Sequence, residues 1–127
     1  MQTRIYFGLG LLILFLVGGL YAATQTQRIC TPISQQLEQA CDYAFSGQLE
    51  TASQLAAMAN RQWEKYWNLL AIVADHGPMD EIDGLFAQAN MYAKLKSAKD
   101  FSATCARLSK LVEAIAEAHR LTWWNLV

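Results

Sequence analysis

A run of nineteen residues without Asp, Glu, Lys or Arg, from Ile5 to Ala23, constrains this chain more than any other feature. Arg4 precedes the run, and the next charged residue is Arg28. At about 1.5 Å of rise per residue, a helix of this length crosses the hydrocarbon core of a bilayer, which is about 30 Å thick. A helix also satisfies its own backbone hydrogen bonds in lipid. The sequence therefore predicts a transmembrane helix over residues 5–23, after a short flank at residues 1–4.

A cleaved signal peptide is the alternative interpretation of this run. Its apolar core exceeds the about 7–15 residues usual in signal peptides, and cleavage after Ala23 would put Tyr21 where a small residue is required. The residues before Cys30 do not form a lipobox. We therefore interpret the run as a retained, single-pass signal anchor in the cell membrane. Arg4 and the α-amino group favour a cytoplasmic N-terminus, with the rest of the chain outside the cytoplasm.

The composition after the anchor favours helices and argues against several functions. From residue 24 onward, nine Lys and Arg (ten in the chain, less Arg4) face eleven Asp and Glu, so no basic surface for nucleic acid is expected. Ala, Leu and Gln are common, and β-branched residues are few, which favours helix over strand. The sequence has no glycine-rich phosphate loop, no CxxC and no HExxH. We therefore expect no cofactor and no enzymatic activity.

Residues 24–31 are polar and predict a juxtamembrane segment that leaves the bilayer. Thr31 and Pro32 match an N-cap and a first helical residue, so a first bundle helix is predicted from Pro32 to Gly47. A helix continuous with the anchor is the alternative, because proline inside a helix can simply kink it. The bundle domain is predicted over residues 32–127.

Apolar residues spaced three and four apart predict three further amphipathic helices. The second runs from Gln48 to about Ala74, and the sequence at residues 76–78, His-Gly-Pro, ends it. The third begins with carboxylates at residues 80–83, which suit the positive end of a helix dipole. The fourth begins near Asp100. The predicted core-facing residues of the four helices are Ile33, Leu37, Ala40, Cys41 and Ala44; Leu49, Ala52, Leu55, Ala59, Trp63, Tyr66, Leu70 and Val73; Ile82, Leu85, Phe86, Ala89, Tyr92 and Leu95; and Phe101, Cys105, Leu108, Val112, Ile115 and either Ala118 or His119.

These elements predict an all-α protein in which a transmembrane helix leads into an up-down antiparallel bundle of three to four helices. Short connections between long helices make neighbours antiparallel. The second and fourth helices should then return to the bilayer surface, with the turn at residues 76–78. Trp123 and Trp124 are predicted to lie at the membrane interface, which tryptophan prefers.

A pattern of six residues extends from the second helix to the end of the chain. It consists of Trp63, His76, Met79, Asp80, Ile82 and Asn125. Together with the length of the chain, this pattern resembles the short, single-anchor bacterial proteins catalogued as domain of unknown function 4363. The resemblance implies an N-terminal anchor, a helical domain and no assigned activity.

One cluster has metal-ligand chemistry: Asp75, His76, Asp80 and Asp83. A histidine with two or three carboxylates would suit Zn²⁺ or Fe²⁺. The favoured interpretation is structural, because a histidine at a helix C-terminus and carboxylates at an N-terminus both complement the helix dipole. We therefore predict no metal site, and keep His76, Asp80 and Asp83 as the weaker candidates.

Cysteines and aromatic residues offer two further candidates. Cys30 and Cys41 would lie about 16 Å apart on one helix, too far for a disulfide. Cys41 and Cys105 both lie on apolar stripes, so free buried thiols are favoured and a bridge between them is the alternative. Trp63, Tyr66 and Trp67 could form an aromatic cage for a ligand, but their helical spacing favours core packing.

The sequence thus predicts a non-enzymatic, membrane-anchored helical module of the bacterial cell envelope. Its expected partners are the bilayer and another envelope protein or a second copy of itself, without nucleic acid. One alternative is a metal-binding protein or metal-dependent enzyme that uses the Asp75, His76, Asp80 and Asp83 cluster. Another is a domain that senses the lipid surface.

Overall fold

A computed structural model describes the backbone of residues 2–74 and 76–126, and the side chains of the same residues except Val73 and residues 119–126. The described chain forms four α-helices and contains no strand, which confirms the predicted all-α class. The helices are α1 (Gln2–Phe45), α2 (Leu49–Val73), α3 (His76–Lys94) and α4 (Ala98–Leu126).

The first helix is longer than predicted. Thr31 and Pro32 do not start a new helix, because α1 continues through both residues without a break. The predicted N-cap is therefore wrong, and the alternative of a continuous helix is right. The hydroxyl groups of Thr24 and Thr26 donate hydrogen bonds to the carbonyls one turn before them, at 2.8 and 2.9 Å. Both threonines are thereby accommodated inside a helix rather than in a polar linker.

Each helix packs mainly on two others: α1 packs on α2 and α4, and α3 packs on the same two helices, while α2 and α4 touch each other only slightly. The chain therefore runs up, down, up and down, as predicted from the short connections. On the surface, Arg107 of α4 and Glu81 of α3 form an ion pair at 2.5 Å. Because both side chains are well exposed, this pair contributes little to stability.

The turn at Gly47 fixes the register between α1 and α2. Residues equally distant from Gly47 lie level in the two antiparallel helices. Gln25 and Leu69, both 22 residues from Gly47, line one cavity between the helices together with Arg28 and Tyr66, both 19 residues away. For each residue of α2, this register gives the residue of α1 that lies at the same height along the bundle.

Two turns at the same end of the bundle end α1 and α3 with the same backbone motif. Gly47 has a φ of 86°, and the N–H of the next residue donates to the Tyr43 carbonyl at 2.8 Å. Lys96 has a φ of 57°, and the N–H of Ser97 donates to the Tyr92 carbonyl at 3.0 Å. Both are Schellman motifs, for which glycine is the usual left-handed residue. Lysine takes that position in the second turn at a steric cost.

The two later helices begin earlier than predicted. Ser97 precedes α4 and donates its hydroxyl hydrogen to the Asp100 carboxylate at 2.7 Å, so α4 begins at Ala98 rather than near Asp100. The third helix begins at His76, which places Pro78 inside its first turn, where no backbone donor is needed. The carboxylates at residues 80–83 therefore follow the first turn, and their predicted place at the start of the helix is wrong.

Most of the predicted core-facing residues are buried, and Trp63, Phe101, Leu37 and Leu70 are among the largest fully buried side chains. Leu95 was assigned to the core but is well exposed, because α3 ends one residue before it. Ala118 is also exposed, and the side chain of His119, the other residue considered at that point, lies outside the described residues.

Small polar residues, rather than large apolar ones, line part of the contact between α1 and α4. Ser34 and Ser109 are buried with their hydroxyl oxygens 2.9 Å apart, and each hydroxyl also lies within 3.2 Å of the other residue's carbonyl oxygen. Two turns further on, Ser102 donates to the Cys41 carbonyl at 3.1 Å. Both pairs have the same antiparallel register, because seven residues separate their members on each helix.

The first half of α1 is long and apolar enough to cross a membrane, by length and composition. Most of its large apolar side chains are exposed rather than part of the bundle core, each over between 52 and 72% of its surface. These residues are Ile5, Tyr6, Phe7, Leu9, Leu11, Leu12, Ile13, Leu14, Phe15, Val17, Leu20 and Tyr21. When the register of α4 against α1 is extended to the last residue of α4, the backbone of Leu126 lies level with Val17.

Candidate functional site

Three of the residues predicted as a possible metal cluster, His76, Asp80 and Asp83, lie in the first half of α3, and they make different contacts. His76 and Asp80 are exposed, whereas both carboxylate oxygens of Asp83 accept hydrogen bonds from α2. Asp75, the fourth member, lies outside the described residues. Among the described residues, no group of three His, Cys, Asp or Glu side chains is close enough to hold a metal ion.

Asp83 joins two tryptophans of α2. The indole N–H of Trp63 donates to Oδ1 at 2.6 Å, and the indole N–H of Trp67 donates to Oδ2 at 3.0 Å. Trp63 and Trp67 are four residues apart, so their rings lie on one face of α2, towards α3. We call Trp63, Trp67 and Asp83 the Trp–Asp cluster. Trp63 is fully buried, whereas Trp67 is half-buried at the edge of the bundle.

Two further rings extend the Trp–Asp cluster. The ring of Phe86 lies 6.5 Å from Trp63, between centroids, and the ring of His76 lies 6.4 Å from Trp67. Each pair is tilted by about 35°, and both separations lie within the range over which aromatic rings interact. The His76 ring thus lies beside α2, the preceding helix.

This arrangement determines which chemistry Asp83 can perform. A buried indole N–H requires an acceptor, and an ionised carboxylate forms the stronger, charge-assisted type of hydrogen bond. Each oxygen of the Asp83 carboxylate already accepts an indole hydrogen bond from α2, and no other described His, Cys, Asp or Glu pair converges on it as a metal site would require. The Trp–Asp cluster is therefore built to join α2 to α3. The aromatic-cage interpretation fails for Trp63, because that ring is enclosed in the core.

A shallow groove beside the Trp–Asp cluster opens to solvent between α2 and α3. Its volume is about 500 Å³, and its lining is polar as well as apolar. The lining residues are Asn60, Glu64, Trp67, Asp83, Phe86, Ala87 and Asn90. A surface of this kind can contact another molecule but encloses none.

A second groove lies between α1 and α4 at the end of the bundle that carries the turns at Gly47 and Lys96. It has a volume of about 550 Å³ and a predominantly apolar lining. We call it the distal groove, and its lining residues are Cys41, Ala44, Phe45, Ala98, Lys99, Ser102, Ala103 and Ala106. The Phe45 side chain, 87% exposed, lies at its edge.

The three cysteines are free thiols. Cys30 and Cys105 are fully buried, and burial raises the pKa of each thiol to about 12. Cys41 is half-buried, and its sulfur lies 3.2 Å from the Ser102 hydroxyl. The favoured prediction of unbridged thiols therefore describes this structure, and the alternative Cys41–Cys105 bridge is not formed in it.

The residues of the six-residue pattern occupy two kinds of position. Trp63, Met79 and Ile82 are fully buried, whereas His76 and Asp80 lie on the surface. The side chains of Asn125 and of the predicted interface residues Trp123 and Trp124 lie outside the described residues. Their interface role stays a prediction.

Two polar contacts of the fold were not predicted from the sequence. The sequence relates the carboxylate of Asp83 to a helix dipole and predicts no contact for Ser34 or Ser109. In the structure, both contacts join residues on different helices. A sequence signal exists for the first, because a tryptophan on the buried stripe of an amphipathic helix needs an acceptor for its indole N–H, and a carboxylate of the facing helix can supply one.

The comparisons with known proteins concern the family alone. A family model described as "Domain of unknown function (DUF4363)" matches residues 20–126, and this range contains all six residues of the pattern. The searches of curated proteins and of solved structures find no match. As the residue pattern predicted, the chain belongs to the DUF4363 family.

Proposed function

We propose that this protein is a non-enzymatic, single-pass module that is anchored in a bacterial cell membrane and binds another envelope protein or a second copy of itself. One observation carries the proposal: a single helix, α1, contributes both the exposed apolar run and one side of the bundle core. An exposed apolar surface of this extent marks a contact with a membrane or with another protein. A lipid bilayer can cover this surface without any further protein.

The polar groups inside the bundle support a binding role rather than a catalytic one. A catalytic site directs polar side chains into a cavity where a substrate can lie. Here Ser34 and Ser109 bond to each other across α1 and α4, and Asp83 bonds to two indole groups. These groups are engaged in joining helices.

The distal groove is the surface we assign to the partner. It lies at the end of the bundle away from the apolar run, and the exposed side chains of Phe45 and Leu95 lie at this end. Lys99 lines it, and Lys94 and Lys96 lie at the same end of the bundle. Aromatic anchors with surrounding charges are typical of protein interfaces, so the partner should present apolar and acidic side chains.

Photo-crosslinking in native membranes tests the binding role. A photoreactive phenylalanine derivative at Phe45 in the full-length protein should give a discrete protein adduct. The same derivative at Met58, an exposed apolar position on α2, is the matched control and should give none. Recovery of only uncrosslinked monomer and lipid adducts from position 45 would contradict the proposal.

Fractionation and labelling test the anchor and its orientation. The full chain should stay in the membrane fraction after an alkaline carbonate wash, and release by the wash would contradict anchoring. We propose that Arg4 faces the cytoplasm and the bundle lies outside it. In a Cys41→Ala background, the cysteine introduced by Met58→Cys should then react with a membrane-impermeant maleimide in intact spheroplasts, and protection until lysis would reverse the orientation.

A further inference from the structure

The C-terminal end of α2 exposes large apolar side chains that the bundle does not use. Ile72 is 80% exposed and Leu69 is 50% exposed, and they lie three residues apart on one face. The sequence from Tyr66 to Ala74 contains no charged residue. We call this segment the α2 end.

The register of the α1–α2 hairpin gives the level of the α2 end. Ile72 and Ala22 are both 25 residues from Gly47, so Ile72 lies level with the last part of the apolar run of α1. By the same relation, Leu69 lies level with Gln25. The exposed apolar residues of α2 therefore lie beside the last part of the apolar run of α1, at about the same level along the bundle.

The charges on the two helices stop at the same level. Moving towards the apolar run, the last charged residue of α1 is Arg28 and the last of α2 is Lys65, and their distances from Gly47 are 19 and 18 residues. Both side chains are exposed. Glu64 lies at the same level but lines the groove beside the Trp–Asp cluster. Lysine and arginine at such a boundary can reach lipid phosphates while their stems cross the interface.

We propose that the α2 end lies in the outer acyl and headgroup layers of the bilayer, as a second membrane contact beside the anchor. This inference rests on the proposed anchoring of α1. If Leu14 marks the bilayer centre, Ile72 lies about 12 Å from it at 1.5 Å per residue, inside the about 15 Å half-thickness of the hydrocarbon. Leu69 then lies at about 16 Å and Lys65 at about 22 Å, among the headgroups.

Spin labels on the full-length protein in phospholipid vesicles test the contact. Single cysteines replace Ile72, Leu69, Met58 or Leu14 in a Cys41→Ala background, because Cys30 and Cys105 are buried thiols that exclude the reagent. Collision rates with oxygen, which prefers lipid, and with a water-soluble nickel chelate are measured for each label. Met58 is the matched control, since it is an exposed apolar residue of the same helix level with Gln36.

We expect nickel collisions at position 72 to be severalfold rarer than at position 58, with position 69 between them and position 14 the most protected. A label at position 72 as accessible to nickel as the one at position 58, with position 14 protected, would overturn the second contact and leave the anchor in place. Nickel access at position 14 as well would overturn both.

Discussion

The carboxylate of Asp83 accepts a hydrogen bond at 2.6 Å from the indole N–H of Trp63, a side chain with no exposed surface. This contact joins the second and third helices through a charged acceptor near the edge of the core. The same carboxylate binds Trp67 through its other oxygen. Its removal leaves a buried donor without an acceptor, which costs more than an average hydrogen bond contributes.

We expect Asp83→Ala to lower the free energy of unfolding by about 1–3 kcal/mol, the cost of an unsatisfied buried donor. Asp80→Ala is the matched control, because Asp80 is an exposed acid on the same helix, and its effect should stay within about 0.5 kcal/mol. Urea unfolding followed by tryptophan fluorescence measures both. Equal midpoints for the two variants would contradict the role assigned to Asp83.

The pair formed by Ser34 and Ser109 allows a double-mutant cycle. We expect Ser34→Ala and Ser109→Ala each to cost about 1 kcal/mol, because each leaves the other hydroxyl buried without one of its partners. The double variant should cost less than the sum, since both polar groups are then gone. Strict additivity of the three unfolding free energies would contradict a direct interaction.

The buried thiols predict a loss of stability in alkali. Burial raises the pKa of Cys30 from 9.0 to about 12, so the unfolded chain loses this proton first as the pH rises. The stabilisation that the neutral, buried thiol gives the folded chain is therefore complete below pH 9. It is lost between about pH 9 and 12, where the free energy of unfolding falls by up to about 1.4 kcal/mol per pH unit for each thiol. The unfolding free energy of Cys30→Ala, measured from pH 8 to 11, should fall less steeply than that of the unaltered chain. Parallel curves would contradict the prediction.

The two Schellman turns allow opposite substitutions at equivalent positions. We expect Lys96→Gly to stabilise the protein by up to about 1 kcal/mol, because Lys96 has a φ of 57° and glycine removes that steric cost. Gly47→Ala should destabilise it by about 1 kcal/mol, because Gly47 has a φ of 86°. Thermal unfolding followed by circular dichroism measures both. Shifts of the melting temperature in the same direction would contradict this account.

Much of the fold follows from local spacing in the sequence. The stripes through Leu37, Leu70, Phe86 and Leu108 identify four helices and their buried faces, because residues three and four apart share one side of a helix. Short connections then determine the antiparallel order. Where helices begin was less predictable: Pro32 lies inside α1, because neighbouring turns and packing accept a proline that local rules place at a boundary, and α3 begins two residues before Pro78.

The polar contacts between helices depend on distances that spacing alone does not contain. Ser34 and Ser109 are 75 residues apart in the sequence, and their pairing follows only from the register of α4 against α1. For Asp83, the dipole of a helix is a sufficient local explanation when only the sequence is considered. In the structure, the carboxylate instead accepts hydrogen bonds from two indole groups of α2. Long-range partners of short polar side chains were therefore the part of the candidate site that the sequence did not reveal.

Because α1 continues through Pro32 without a break, its proposed anchoring in a bilayer has a mechanical consequence. Without a hinge between membrane and bundle, a change in the inclination of the anchor swings the whole domain like a lever. From Thr24 to Phe45 the helix is about 33 Å long, so a tilt of about 20° moves its far tip sideways by about 11 Å. Because bilayer thickness influences such tilts, a thinner or thicker membrane would shift the tip relative to its neighbours by the width of a helix.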